Sequence, residues 1–111
     1  MSKLPKFFVY APDRTDSTTL DKRYEVRSEH LQKIKPKIDS GVVQVAGMIT
    51  DAETPAVEGE RKKAVGSILI IEAENIEEVR KLIENDIYTT SGVWDKEKLI
   101  IAPFFAATPF P

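Results

Sequence analysis

His30 is the one histidine of this 111-residue chain, in the segment Arg27-Ser28-Glu29-His30-Leu31, so imidazole chemistry has a single address. Ser28 is suited to cap a helix that begins at Glu29, which would put His30 in a first turn beside Arg27. The positive end of the helix dipole and the arginine both work against a second proton on the ring, an environment fit for a general base. A lone histidine outside any motif is more often a boundary residue with no role, and spacing alone supplies no partner. Asp86, in Glu84-Asn85-Asp86-Ile87-Tyr88, falls where a helix is expected to end. A carboxylate there opposes the dipole, so it calls for a polar partner such as His30, or for solvent. Ser67 is a hydroxyl inside an apolar stretch, directly after Gly66. It reads equally as a pocket floor or as a hydroxyl bonded within the core.

Other chemistries are excluded more firmly. There is no cysteine, hence no thiol nucleophile, disulfide or thiolate metal cage, and one histidine with scattered carboxylates lacks ligand spacing, so no metal is expected. With 16 Lys+Arg against 18 Asp+Glu the formal charge is −2, without the basic field that drives nucleic-acid binding. Arg61-Lys62-Lys63 follows Glu58 and Glu60 and reads as a solvated surface, so no nucleic-acid partner is expected. No stretch approaches the roughly 18–20 apolar residues of a membrane span. The start, Met1-Ser2-Lys3-Leu4-Pro5-Lys6, leads into the short apolar run Phe7-Phe8-Val9-Tyr10, too brief for a signal-peptide core, and a cytoplasmic protein is the expectation.

The elements that must position these residues follow from periodicity. Phe7-Phe8-Val9-Tyr10 is a strand ended by Ala11-Pro12-Asp13. Leu20, Tyr24, Leu31, Ile34 and Ile38 recur at helical spacing over 18–38, with an interruption at Ser28, a bend at Pro36 and Gly41 as left-handed terminator. Residues 42–49 form a second strand in which Gly47 suggests a bulge or close approach, residues 50–63 a surface loop, and residues 64–73 a third strand. Asn75 with Glu78 marks a helix start, and Ile76, Val79, Leu82 and Ile83 form its apolar stripe to about Asn85. Residues 86–92 are a connector, and 98–102 a fourth strand stopped by Pro103.

This order predicts a single α+β domain over 1–111, a ferredoxin-like βαββαβ arrangement with a four-stranded antiparallel sheet and both helices on one face. The strands, however, are apolar on both faces: Val65, Leu69 and Ile71 oppose Ile68 and Ile70, and Phe7 and Val9 oppose Phe8 and Tyr10. Two short helices cover only one face. The other is expected to meet the same sheet of a second copy, as a homodimer.

The chain resembles the YCII-related proteins, whose fold is the dimeric α/β barrel shared with muconolactone isomerases. The resemblance spans nearly the whole chain. It is carried by Phe8-Val9-Tyr10-Ala11-Pro12-Asp13, Arg23, Val26-Arg27-Ser28-Glu29-His30-Leu31, Ser40-Gly41, Ala46-Gly47, Gly66-Ser67, Asp86-Ile87-Tyr88, Ser91-Gly92-Val93-Trp94 and Pro103-Phe104. It implies His30 and Asp86 as the catalytic pair and Arg27, Ser67, Tyr88 and Tyr10 as substrate-binding residues. Two positions depart from the family, which commonly has proline at Ser28 and again at Ile87.

The function so implied is a cofactor-independent lyase or isomerase acting on a small carbonyl compound, lactone or ring-cleavage acid. Asp86 would fix the ring tautomer, His30 would remove a proton, and Arg27 or Ser67 would stabilise the oxyanion. The rival is a non-catalytic dimeric module that binds a small ligand or assists another enzyme.

Overall fold

The computed structural model describes residues 4–53 and 61–110. Four strands, β1 (Lys6–Pro12), β2 (Val43–Thr50), β3 (Ala64–Glu72) and β4 (Ile100–Phe104), form an antiparallel sheet in the order β2-β3-β1-β4. Helices α1 (Thr19–Asp39), α2 (Ile76–Glu84) and α3 (Ile87–Thr90) accompany them. This is the expected α+β, ferredoxin-like arrangement. Of the surface loop expected at 50–63, residues 54–60 lie outside the described residues, as do residues 1–3 of the N-terminal segment.

One face of the sheet carries the core. Phe7, Val9 and Ala11 of β1 and Leu69 and Ile71 of β3 alternate inward and pack with Val79 and Ile83 of α2, Tyr88 of α3, Ile34 of α1, and Val93 and Trp94. Burying each such aliphatic side chain stabilises the fold by roughly 1.5–3 kcal/mol. On the opposite face Phe8, Tyr10 and Ile68 are half-buried, Ile70 is buried and Ile100 is 50% exposed.

Four local expectations need correction. The first helix is not interrupted: α1 runs unbroken through Ser28, so His30 lies in its middle and not in a first turn. Ser28 has no helix end to cap, because the residues before it, Tyr24-Glu25-Val26-Arg27, contain no breaker and continue the same inward stripe. Pro36 is accommodated one turn from the C-terminus, and the chain leaves through Gly41 at φ +87°. The connector 86–92 contains a helical turn, α3, and β4 begins at Ile100 and continues through Pro103, which an edge strand tolerates. Register shifts in β2 fall at Val43/Val45 and Ile49/Thr50, not at Gly47, which meets no close neighbour. Gly66 is where backbones do approach. A Cβ there would lie 3.0 Å from the Ala11 carbonyl oxygen and 3.2 Å from Pro12 Cα, so a side chain would have to push the backbone of β1 aside and glycine suits the close approach of β1 and β3.

Candidate active site

Between α1 and the sheet lies a pocket of ≈ 190 Å³ whose lining includes Arg23, Arg27, His30, Ser67, Tyr88 and Trp94. On α1 the residues 23, 27, 30, 34 and 38 recur every three or four positions, so two arginines, the histidine and two isoleucines share one helix face. The buried Ile34 anchors that face, while the half-exposed Leu31 and Ile38 form an apolar mouth with Ala46, Gly47 and Met48 of β2. Leu31, expected in the core, is 45% exposed there.

His30 Nδ1 lies 2.9 Å from Asp86 Oδ1, both side chains about nine-tenths buried. Asp86 does follow the C-terminus of α2, and the polar partner expected for a carboxylate there is His30. Asp86 also caps the N-terminus of α3, accepting the Tyr88 backbone N–H at 2.8 Å on the same oxygen. The imidazole stacks on the Tyr88 ring at 4.0 Å and 16°, and Trp94 meets both rings edge-on. A carboxylate oxygen accepts, so the nitrogen facing Asp86 carries the hydrogen and Nε2 points away from it. Asp86 lines a second recess with His30, Lys33, Lys37 and Leu82.

Beneath the pocket floor a buried arginine organises the polar groups. The Arg23 guanidinium donates to Asp13 through Nε at 2.9 Å and a terminal nitrogen at 3.4 Å, to the Gly66 carbonyl at 3.1 Å and to Ser67 Oγ at 2.6 Å. It also sits 4.6 Å from the centre of the Tyr88 ring. Trp94 Nε1 donates to Ser67 Oγ at 3.3 Å. Arg27, by contrast, is exposed at the rim with no ion-pair or hydrogen-bond partner among the described residues.

Of the sequence-derived candidates, His30, Arg27, Ser67 and Tyr88 line this pocket, and Asp86 is joined to it through His30 from the second recess. Tyr10 does not line it. It pairs with Ile68 and Ile100 on the opposite face of the sheet, because β1 alternates and Val9 and Ala11 take the inward positions. The structure adds Arg23, Asp13 and Trp94. For Arg23 the signal was the stripe Arg23, Arg27, His30, whose helical spacing continues that of Ile34 and Ile38, whereas Asp13 and Trp94 lie off that helix. Among the described residues, no group of three His, Asp or Glu converges as a metal-binding cluster. None of their helices is long and apolar enough to cross a membrane. Arg61, at the described end of the basic run, pairs with Asp21 at 2.6 Å and stacks on Tyr24.

Burial pushes the Tyr88 phenol above its usual value, with Asp86 and Asp13 adding to the rise and Arg23 and Arg27 opposing it. The hydroxyl therefore stays protonated throughout the neutral range. A folded-state pKa raised in this way contributes stability that is present below about pH 10 and lost as pH climbs through the folded value. Urea unfolding across this alkaline range should show a falling stability that Tyr88→Phe flattens. An equal slope in both proteins would contradict the assignment.

A βαββαβ domain with a hydrogen-bonded His–Asp contact beside a pocket between helix and sheet has the form of a small-molecule-processing module. The YCII-related domain model matches residues 6–104, and the chain belongs to that family. It is 35% identical over 103 residues to fusaric acid biosynthesis protein 2 of Gibberella fujikuroi, covering 93% of this chain and 95% of that one. It is 37% identical over 103 residues to aspartate kinase FUB3 of Fusarium oxysporum f. sp. lycopersici, where the match covers 93% of this chain but only 18% of the kinase. Among solved structures it is similar to 5-chloro-2-hydroxyhydroquinone dehydrochlorinase from Burkholderia phenoliruptrix AC1100, in complex with 2,5-dihydroxybenzoquinone. The TM-score is 0.74 and the identity 30%, over 90% of this chain and 93% of the other.

Proposed function

We propose that this chain is a cofactor-independent lyase or isomerase for small hydroxylated or oxo ring compounds and related carbonyl acids, with the His30–Asp86 pair as general base. The observation that carries the reading is the 2.9 Å contact from His30 Nδ1 to Asp86, which leaves Nε2 as the nitrogen able to take a proton. The dehydrochlorinase likeness supports the ring class. In the reaction, Nε2 accepts a proton from a ring hydroxyl or a carbon next to a carbonyl. The electron pair moves toward the oxygen or expels a leaving group, and Ser67, Tyr88 and Arg27 stabilise the oxygen's growing charge. Asp86 holds the tautomer and balances the imidazolium that forms.

The second reading is a binding or accessory module without turnover. A screen of 5-chloro-2-hydroxyhydroquinone, lactones and hydroxylated ring-cleavage acids separates the two. Turnover that His30→Ala abolishes supports the enzyme, whereas saturable binding with no turnover supports the module.

The working unit is a homodimer joined through the open face of the sheet. Phe8, Tyr10, Ile68 and Ile100 there make an apolar surface that water does not favour, and a second sheet would cover it. Sedimentation should give a dimer at micromolar concentration, and Ile100→Asp should shift it toward monomer. A wild-type monomer would contradict the proposal.

A further inference from the structure

We infer that the Ser67 hydroxyl is held as a hydrogen-bond donor aimed into the pocket, so that the ligand must present an acceptor oxygen there, a carbonyl, enolate or phenolate. The lone pairs on the Ser67 oxygen are already taken. A serine oxygen has two acceptor sites and one hydrogen, whereas arginine and tryptophan nitrogens only donate. Arg23 occupies one site at 2.6 Å and Trp94 Nε1 the other at 3.3 Å, which leaves the O–H as Ser67's remaining hydrogen-bonding capacity.

Neither neighbour can readily turn away. Arg23 is tied to Asp13 and to the Gly66 carbonyl and is 2% exposed. Trp94 is 3% exposed, with its backbone N–H on the Tyr88 carbonyl at 2.9 Å. Arg23 and Trp94 are thus positioning residues that set the polarity of Ser67. The pocket rejects a ligand that offers an ammonium or amide N–H at this point, because donor would meet donor.

This inference rests on the pocket's proposed use for ring ligands, and its test keeps the two apart. Neutron diffraction on deuterium-exchanged crystals of the unliganded protein reads the O–D direction, and binding of 2,5-dihydroxybenzoquinone to wild type and Ser67→Ala reads its consequence. The expected result is a Ser67 deuteron directed into the pocket, with Arg23 and Trp94 deuterons on Oγ, and about tenfold weaker binding by the variant. A deuteron directed at Asp13, Gly66 or another protein acceptor overturns the inference, as does equal affinity in the two proteins. Wild type that fails to bind the quinone contradicts the ring-ligand reading, while the deuteron direction still decides the donor. Should Ser67→Ala fail to fold because Arg23 and Trp94 lose their acceptor, the neutron result alone decides.

Discussion

His30→Ala is expected to lower the rate of chloride release from 5-chloro-2-hydroxyhydroquinone, or turnover of whichever ring substrate the screen yields, by about 10²–10⁴-fold. The size follows from what the ring does. A positioned base lowers the barrier only if its free nitrogen reaches the proton, and Asp86 sets that by occupying Nδ1. Asp86→Asn keeps one oxygen for both the Tyr88 N–H and the imidazole N–H but removes the negative charge that balances the imidazolium. It should lose activity on a similar scale. Stability should also fall, by about 1–3 kcal/mol, since His30→Ala removes the stacked contact with Tyr88, the edge contact with Trp94 and the hydrogen bond to Asp86. Wild-type turnover by His30→Ala would remove the imidazole from the chemistry. A large loss of stability would mean that the lost activity reported unfolding.

The largest effect on stability is expected at Arg23. Its side chain and that of Asp13 are 3% and 4% exposed, so Arg23→Ala would strand a carboxylate in the core and leave the Gly66 carbonyl without its donor. Breaking a buried pair from one side costs about 3–5 kcal/mol, which in a domain of this size lowers the melting temperature on the order of 15–25 °C. Arg27→Ala makes the contrast: exposed at the rim, it should melt within a few degrees of wild type while weakening the binding of an anionic ligand. Thermal unfolding of the two variants side by side checks this. Equal melting temperatures would show that the Arg23–Asp13 pair does not hold the pocket floor.

The sheet was legible because its strands are short apolar runs between clear breakers, and α2 because Asn75 and Glu78 announce its start. Ser28 misled because a side chain suited to capping says nothing about whether the helix ends there. The inward stripe from Arg23 through Ile34 decided that, and with it moved His30 to mid-helix. Asp86 reads from local sequence as a badly placed acid, since a four-residue helix such as α3 carries almost no periodicity. His30 and Asp86 are 56 positions apart, so only the family resemblance could pair them before the fold was known. Arg23 stayed hidden for a related reason. An arginine at helical spacing reads as a solvated charge until Asp13, ten positions away on a different element, is seen beside it. Tyr10 was placed with the site by resemblance, although the alternation of β1 sends it to the other face.

With one histidine in the chain, a single imidazole spin system reports on the proposed base. The most direct test is to titrate 2,5-dihydroxybenzoquinone into ¹⁵N-labelled protein and follow both ring nitrogens. Nδ1 should be protonated and Nε2 bare before ligand, followed by a saturable movement of the Nε2 resonance that Ser67→Ala weakens. A ring protonated on Nε2, or nitrogens that do not move at ligand saturation, would contradict the proposed base.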